Sequence, residues 1–279
     1  MNICIIPAKS HSERIPNKNV AEFCGTPVIE YTLEAVRDSG CFDKIVVSTD
    51  SDQIGAIASR YGATYFKRGP EAMADDSPMV DAVMEVLQKE SKEWDTVCMA
   101  YACSPFIKAS TIRDAYSQHE FHASDVTTAI YRSAEHAEYA MFIQDAKLMH
   151  RNPEFKDVNS NTFIDTYQDA GQFYIADTIH LEMSRTLTPA NLWGVIVDHG
   201  IDIDTPADWQ RAEALFILDN HPSLMKWSMK NAQIIAECDA MEKAGGYGAI
   251  EIHYQKGEVT TVDKKVNTRH KWGDVWGPE

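Results

Sequence analysis

Short apolar runs alternate with segments of helical periodicity over the first two thirds of the chain. The apolar runs predict buried strands at NICIIP, KIVVSTD and DTVCMAYA. Between them, apolar residues recur at helical spacing in TPVIEYTLEAVRDSG, DQIGAIASRYG, SPMVDAVMEVLQKE and STIRDAYSQH. The alternation is typical of βαβ units and predicts an α/β fold, with a mostly parallel sheet and helices on both faces.

Proline and glycine mark the ends of these predicted helices. Pro27 falls in the first turn of one helix, and Ser77 is expected to cap another that continues with Pro78. Gly40 and Gly62 each follow a helical segment, at the position where glycine commonly ends a helix.

The later part of the chain predicts a main domain and an appendage. Residues 131–168 read as irregular and polar, and we expect an insertion or an arm that contacts another subunit. Two further strands and a helix capped by Thr205 are predicted at AGQFYIAD, NLWGVIV and TPADWQRAEALFILD. The main domain is therefore expected to span residues 1–222.

A long helix and a hairpin are predicted beyond that boundary. LMKWSMKNAQIIAECDAMEKAGG has helical character, and YGAIEIHYQKGEVTTVDKK alternates with a period of two around Lys256-Gly257. Residues 223–279 are thus expected to form a helix–hairpin appendage, whose role the pattern leaves open. It is a candidate for recruiting a partner or joining subunits.

Composition narrows the class of protein. No apolar run approaches the roughly 18–20 residues of a membrane span. A net charge of −16 and a pI near 5.0 make nucleic acid and anionic membranes poor partners. The six cysteines are scattered without a C-x-x-C pair, which indicates reduced thiols and a cytoplasmic location.

Cations gather in the first loop despite this acidity. The stretch IIPAKSHSERIPNKN holds Lys9, Arg14 and Lys18, with Asn19 beside them. Such a loop after a first strand is suited to phosphate, although a solvated surface loop has the same composition. Neither a Walker A loop nor G-x-G-x-x-G is present, which argues against ordinary NTPases and dinucleotide enzymes.

Two aspartates form a second candidate site in DHGIDIDTPADW. Asp202 and Asp204 alternate with isoleucines, so on a strand both carboxylates would face one side. Paired carboxylates suit Mg²⁺, which takes one or two of them together with phosphate oxygens and water. Acidic residues are also favoured before a helix without any metal, and spacing alone leaves both interpretations open.

Several longer stretches together resemble a known family. They are IIPAKSHSERIPNKNVAEFCGTPVIEYTLEA, FDKIVVSTDSDQIGAIASRYGA, RGPEAMADD and DIDTPADW, which occur in order between residue 2 and about residue 217. They resemble the cytidylyltransferases that activate nine-carbon acidic sugars. Within that family, YACSPF and YQDAGQFY are similar to the pseudaminic acid branch, whereas sialic acid enzymes usually carry a Q-P-T-S-P type segment.

The resemblance implies a nucleotide-diphospho-sugar transferase fold, which is Rossmann-like, and a Mg²⁺-dependent reaction. CTP and a nonulosonic acid, most of all pseudaminic acid, would give the CMP-sugar and pyrophosphate. Lys18, Arg14, Asp202 and Asp204 would carry the catalysis, with Mg²⁺ held by the two aspartates. The implied CTP-binding residues are Lys9, Arg14, Lys18, Asn19 and Arg68, and the implied sugar-binding residues are Ser104, Asp169, Gln172 and Tyr174.

The first loop departs from the family pattern. Family members usually read A-R-G-G-S-K where this chain has AKSHSE, so Ser10 and His11 replace two glycines and Glu13 replaces a lysine. A glycine also stands at position 69, between the arginine and the proline of the usual R-P pair. Glycines in such loops permit positive φ and close approach to phosphate.

Other functions remain open at this point. The sugar could instead be sialic, legionaminic or 3-deoxy-octulosonic acid, and the altered loop is compatible with a non-catalytic nucleotide- or sugar-binding protein on the same fold. By analogy with the family, we expect a homodimer or a higher homo-oligomer with residues 131–168 at the contact.

Overall fold

The computed structural model describes residues 1–69 and 78–221, the single residues 223 and 236, and strands at 247–255 and 258–267. The chain divides into two compact units, Met1–Phe216 and Ile217–Glu279. Ser77, the proposed cap, lies outside the described residues, as do nearly all of the predicted long helix and Lys256-Gly257.

A seven-stranded sheet forms the centre of the first unit, in the order β11-β7-β10-β6-β1-β4-β5. Its strands are β1 (Asn2–Pro7), β4 (Lys44–Thr49), β5 (Thr64–Lys67), β6 (Thr96–Ala100), β7 (Val126–Arg132), β10 (Tyr167–Asp177) and β11 (Leu192–Ile196). Only β10 runs antiparallel to its neighbours in this sheet. The predicted α/β fold with a mostly parallel sheet is confirmed.

Helices cover both faces of this sheet. They are α1 (Val28–Ser39), α2 (Asp52–Arg60), α3 (Met79–Lys89), α4 (Ala109–His122), α5 (Thr178–Ser184) and α6 (Pro206–Asn220). Along β1, Cys4 and Ile6 pack towards α1, α2 and α4, whereas Ile3 and Ile5 pack with α3 and α5. Because both faces are covered, the strand is apolar from Ile3 to Pro7 rather than alternating.

The helix ends follow the expected chemistry where the structure describes them. Helix α1 begins directly after Pro27, and Gly40 follows its last residue with φ 66°. Thr205 and Asp208 form a reciprocal cap on α6, since the Thr205 N–H and hydroxyl donate to the Asp208 carboxylate and the Asp208 N–H donates to Thr205 Oγ1.

Three short pairs of strands lie outside the main sheet. These pairs are β2 (Glu22–Phe23) with β3 (Thr26–Pro27), β8 (Met141–Gln144) with β9 (Lys147–His150), and β12 (Tyr247–Gln255) with β13 (Glu258–Asn267). All three are antiparallel.

The hairpin β8–β9 corrects the expectation that residues 131–168 are irregular and polar. Its turn residues Asp145 and Ala146 both have positive φ, 50° and 59°, as a tight two-residue hairpin turn requires. Its apolar side chains face solvent, with Ile143 76% and Leu148 66% exposed. The strands are too short to show a period, and Asp-Ala lacks the usual glycine of this turn.

Candidate active site

A cavity of about 490 Å³ lies at the carboxyl end of the parallel strands. The loop after β1, the start of the segment after β6, and the segment before α6 all contribute to its wall. Its charged lining residues are Lys9, Glu13, Arg14, Lys18, Arg68, Asp202 and Asp204. We call it the triphosphate cavity, after the ligand that the motifs of the first loop predict, and it lies at the edge of the sheet where α/β proteins bind ligands.

The loop after β1 is anchored to the end of β4. The Ser10 N–H donates to Asp50 Oδ1 at 2.8 Å, and the Ser10 hydroxyl donates to the other carboxylate oxygen. Asn19 Nδ2 donates to the Lys9 carbonyl at 2.9 Å and so closes the loop on itself. Lys9 and Asn19 are therefore held together at the cavity wall.

The departures from the family loop do not strain this backbone. Ser10 and His11 are absent from the described residues with positive φ, so neither requires the freedom of glycine. The serine also supplies a hydroxyl that a glycine lacks, and this hydroxyl bonds to Asp50. Glu13 does line the cavity and is exposed there.

Asp204 is the most heavily paired acid in the cavity wall. Its carboxylate lies 2.9 Å from Arg14 Nη2 and 3.4 Å from Lys18 Nζ. Partial burial, together with the negative charge of Asp204, raises the pKa of Asp202 above its usual range, although Lys18 and Arg14 oppose the shift. The four predicted catalytic residues thus lie in one cluster.

The strand expected at Asp202 and Asp204 is not present. Strand β11 ends at Ile196, and residues 201–204 belong to no strand or helix. The alternation of aspartate and isoleucine still separates their surroundings, since Ile203 is buried whereas both aspartates line the cavity.

Arg68 is buried at the wall of the cavity. Its guanidinium donates to Ser48, to the hydroxyl at 3.1 Å and to the carbonyl at 2.6 Å. Burial lowers the pKa of Arg68, with Asp50 and Glu85 opposing the shift. The Gly69 N–H donates to Glu85 Oε1 at 3.0 Å, and a β-carbon at residue 69 would meet this oxygen at 2.7 Å.

Two of the predicted sugar-binding residues are joined next to the triphosphate cavity. The Tyr174 hydroxyl donates to the Asp169 carboxylate, which also accepts from the Gly171 N–H at 2.9 Å. Burial raises the pKa of Asp169, and the charge of Asp202 adds to this effect. The register of β10 shifts here, and Gly171 has φ 62°, so glycine suits this bulge.

The other two predicted sugar-binding residues, Ser104 and Gln172, are both buried. Ser104 is buried after Cys103, and it is not among the described residues that line the triphosphate cavity. Gln172 lines a separate, smaller cavity. The structure therefore joins Asp169 to Tyr174 by a hydrogen bond, whereas Gln172 lines a different cavity.

Sequence reasoning missed Tyr101 and Asp50 as parts of this site. Tyr101 lines the cavity, and burial, with the nearby charges of Asp169 and Asp202, raises its pKa to about 12. The position of Tyr101 directly after a buried strand was the signal in the sequence that could have identified it.

Cys103 also lies in the wall of the cavity. Burial raises its pKa to about 12, so its thiol stays protonated at neutral pH.

The two aspartates fit a divalent cation bound together with phosphate. Among the described residues no group of three or more His, Cys, Asp or Glu side chains is placed to hold a metal. Mg²⁺ needs no such group, because one or two carboxylates suffice when substrate oxygens and water complete its shell. Asp202 and Asp204 line the same cavity as the cations, which agrees with that donor set.

A parallel sheet with cations and paired carboxylates at the carboxyl ends of its strands defines a nucleotide-binding α/β protein. A family model described as cytidylyltransferase matches residues 3–219. The chain belongs to the cytidylyltransferase family, and the resemblance noted from its motifs is confirmed.

Curated relatives cover most of the chain. A pseudaminic acid cytidylyltransferase from Campylobacter jejuni is 30% identical over 230 residues, which span 80% of this chain and 98% of the relative. A CMP-N,N'-diacetyllegionaminic acid synthase from Legionella pneumophila is 31% identical over 229 residues, spanning 78% and 97%. An N-acylneuraminate cytidylyltransferase from Escherichia coli is 27% identical, over 75% of this chain and 51% of the relative.

A solved structure supports the fold. The CMP:2-keto-3-deoxy-manno-octonic acid synthetase complexed with CTP matches with a TM-score of 0.60 and 17% identity, over 78% of this chain and 99% of that one. At this identity the likeness concerns the fold alone.

None of the described helices combines the length and the apolar character needed to cross a membrane.

Proposed function

We propose that this protein transfers CMP from CTP to a nonulosonic acid, with pseudaminic acid as the preferred sugar. The observation that carries the proposal is the triphosphate cavity, where Lys9, Arg14, Lys18 and Arg68 meet Asp202 and Asp204. Membership of the cytidylyltransferase family supplies the reaction class. The pseudaminic acid relatives and the YQDAGQFY stretch favour this sugar.

In the proposed reaction, the anomeric hydroxyl of the sugar attacks the α-phosphorus of CTP. A new P–O bond forms as the bond to the bridging oxygen of the β-phosphate breaks. Pyrophosphate leaves with that electron pair, and the proton of the attacking hydroxyl is released to water. Lys9, Arg14 and Lys18 bind the phosphate oxygens and stabilise the growing negative charge. The hydrogen bonds between Ser10 and Asp50 fix the loop that carries Lys9.

Asp202 and Asp204 would hold Mg²⁺ against the phosphates of CTP. The cation, when bound, neutralises phosphate charge and raises the electrophilicity of the phosphorus. Asn19 and Arg68 are proposed to contact the nucleotide, because both line the same cavity. Ser104, Asp169, Gln172 and Tyr174 are proposed to lie towards the sugar, and the charge of Asp202 contributes to the raised pKa of Asp169.

The oligomer is proposed to form through the hairpin β8–β9. Met141, Phe142, Ile143, Leu148 and Met149 are all exposed on it. A cluster of this kind on a short hairpin is typical of a surface that is covered in an assembly. We therefore propose a homodimer in which each hairpin packs against a second copy.

The experiment is pyrophosphate release with CTP and Mg²⁺ in the presence of one sugar at a time. The sugars are pseudaminic, legionaminic, sialic and 3-deoxy-octulosonic acid, with a reaction that lacks sugar as the blank. Mass spectrometry then identifies the CMP-sugar. We expect release with pseudaminic acid, loss of at least a hundredfold in Asp202→Asn, and little change in Asp114→Asn, an exposed site on α4.

The other outcomes distinguish the alternatives. Release with a different nonulosonic acid would keep the chemistry and overturn the choice of sugar. CTP binding without release in any reaction would show a nucleotide-binding protein that is not a transferase. Rates that are unchanged when Mg²⁺ is replaced by a chelator would contradict the metal site.

A further inference from the structure

Tyr131, near the end of β7, lies between two segments that carry acidic residues of the site. On one side it pairs in register with Gln168 of β10, and its hydroxyl donates to Gln168 Oε1. On the other side its ring lies against Gly200, where a β-carbon would be 2.0 Å from Cδ1 and 2.3 Å from Cε1 of the ring. The proposed reaction assigns no role to Tyr131.

The lack of a side chain at Gly200 is what lets the backbone approach this ring. Gly200 is absent from the described glycines with positive φ, so other residues could adopt its backbone angles. A side chain there would overlap the Tyr131 ring. The ring and the backbone of Gly200 are therefore in direct contact, and in a close-packed interior a displacement of one moves the other.

The segment after Gly200 is not held by a ladder of backbone hydrogen bonds. The Val197 N–H still donates to the Ile130 carbonyl at 2.8 Å, beside Tyr131. Residues 200–204, in contrast, belong to no helix or strand and make no backbone-to-backbone hydrogen bond within the described part of the chain. Side-chain packing must therefore fix this segment. Ile201 and Ile203 pack in a cluster with residues of α6, and Tyr131 supports the end that leaves the sheet.

An aspartate of the site lies close in sequence to each contact of Tyr131. Asp202 follows Gly200 by two residues, which span at most about 7 Å. Asp169 directly follows Gln168, and the charge of Asp202 contributes to the raised pKa of Asp169. The two carboxylates are therefore near enough to interact, and Tyr131 contacts both of the chain segments that carry them.

We propose that Tyr131 is a positioning residue that sets the spacing between Asp202 and Asp169. The inference rests on the proposed function, in which Asp202 serves the metal and the phosphates while Asp169 lies towards the sugar. This spacing then governs how the anomeric hydroxyl meets the α-phosphorus. Tyr131 is not among the described residues that line the triphosphate cavity, so it acts through Gly200 and Gln168.

The contact with Gly200 is independent of the charges that respond to substrate. Asp204 is paired with Arg14 and Lys18, and a triphosphate competes for both of these cations. Packing of a ring on backbone depends on dispersion rather than on charge, so this competition leaves it intact. Tyr131 therefore keeps the start of the segment in place when the ion pairs of Asp204 are exchanged for substrate.

The test compares Tyr131→Leu, which removes the ring, with Tyr131→Phe, which removes only the hydroxyl. We expect kcat of Tyr131→Leu to fall about 30-fold to 100-fold, because a displacement of about 1 Å at reacting groups has this effect. KM for CTP should change less than about threefold, since the cations of the first loop are untouched. Tyr131→Phe keeps the contact with Gly200, and its kcat should fall less than about fivefold.

A second readout does not depend on turnover. Electron paramagnetic resonance measures the binding of Mn²⁺, used in place of Mg²⁺, in the presence of CTP. We expect the dissociation constant of Mn²⁺ to rise about fivefold or more in Tyr131→Leu and to stay near the wild-type value in Tyr131→Phe, because only the first variant releases the segment that leads to Asp202.

Tyr65 provides a matched control. Its ring lies against Gly55, where a β-carbon would be 2.7 Å from Cγ, and its hydroxyl donates to Asp52 Oδ1 at 2.9 Å. It belongs to β5, which ends the sheet on the side away from β7. Tyr65→Leu therefore removes a ring from a glycine in the same way, and calorimetry should show a similar loss of Tm. Its kcat and its Mn²⁺ binding should stay within about twofold of wild type.

The outcomes decide the inference in either direction. Equal losses of kcat in Tyr131→Leu and Tyr65→Leu, or a loss confined to KM for CTP, would overturn it. If the wild-type chain releases no pyrophosphate, the proposed function fails and Mn²⁺ binding alone carries the test: weaker binding only in Tyr131→Leu supports the positioning role, and equal binding in all variants contradicts it. A wild-type chain that binds no Mn²⁺ with CTP would contradict both the metal site and this inference.

Discussion

Ser10 and Asp50 are joined by two hydrogen bonds that hold the first loop against the end of β4. Partial burial alone would raise the pKa of Asp50, but the bonds from Ser10 outweigh it, and the net pKa lies below the usual value. The carboxylate is therefore ionised at neutral pH and acts as a strong acceptor. The residue that replaces a family glycine is thus part of the support for the loop.

Asp50→Asn should raise KM for CTP by about fivefold to twentyfold, because the charge-assisted bonds that position Lys9 are lost. Steady-state kinetics with varied CTP measures this change. Asp52→Asn is the matched control, since Asp52 lies two residues away and bonds only to Tyr65 and Lys67 on the surface. Equal effects of the two variants would show that the Ser10–Asp50 contact has no specific role.

Asp202→Asn should abolish activity and make the ligand-free protein slightly more stable. The folded-state pKa of Asp202 lies above the value of 3.8 expected in the unfolded chain, so ionisation of this side chain costs folding free energy. That cost is complete above the folded-state pKa and disappears as pH falls towards 3.8. We expect Tm at pH 7 to be slightly higher in the variant than in the wild type, and the difference to shrink with acidification.

Differential scanning calorimetry without nucleotide measures this difference between wild type and variant. Asp114→Asn provides the comparison at an exposed position, where no change in Tm is expected. A variant that is less stable than wild type at pH 7 would show that Asp202 contributes to the fold rather than being held at a cost for function.

Gly200→Ala should shift Asp202 and Asp204 indirectly, through the backbone that leads to them. A β-carbon at residue 200 would stand 2.0 Å from Cδ1 of the Tyr131 ring, so either the ring or the segment leading to Asp202 must move. We expect a loss of about 1–3 kcal/mol in the free energy of unfolding, as is common for an overpacked contact. The activity of the folded protein should also fall, and a higher Mg²⁺ concentration should be needed for half of the maximal rate.

A double-mutant cycle checks the cause of this effect. Tyr131→Leu removes the ring from the position that the new methyl group needs, so the pair should lose less stability than the sum of the single variants. Urea unfolding of all four proteins gives the coupling energy. Additive losses would place the disturbance elsewhere.

Ile143→Asp should convert the proposed dimer into a monomer. Ile143 is 76% exposed on the hairpin β8–β9, and a charge there would be buried in the interface. Light scattering coupled to size exclusion measures the mass. Phe121→Asp places the same charge on α4, where an 82% exposed ring lies outside the hairpin, and should leave the dimer intact. Dissociation by Phe121→Asp alone would move the interface to α4.

The alternation of apolar runs was sufficient to predict the sheet, because buried parallel strands are apolar on both faces. The resemblance to the family, and not this alternation, placed Lys18 and Asp204 in one site, and the structure has Lys18 Nζ 3.4 Å from the Asp204 carboxylate. The pairing between Ser10 and Asp50 was not predictable, because it depends on which two loops lie opposite each other. No local sequence pattern shows that Ser10 and Asp50 lie next to each other in the fold.

Two errors have local causes. Residues 201–204 belong to no strand, because β11 stops at Ile196, yet Ile203 is buried while Asp202 and Asp204 line the cavity. The hairpin at residues 141–150 was missed because its turn uses Asp145-Ala146 rather than a glycine. In both cases the period or the turn signal was too short to decide between a strand and a loop.

The ion pairs at Asp204 set an order of events for the substrates. Arg14 and Lys18 already neutralise this carboxylate. A free divalent cation approaching Asp204 alone therefore meets two positive charges, whereas a triphosphate draws these cations to itself and leaves the carboxylate available. We expect the cation to bind weakly on its own and to enter with the nucleotide, so that the empty enzyme is protected from idle metal and CTP is the substrate that prepares the site.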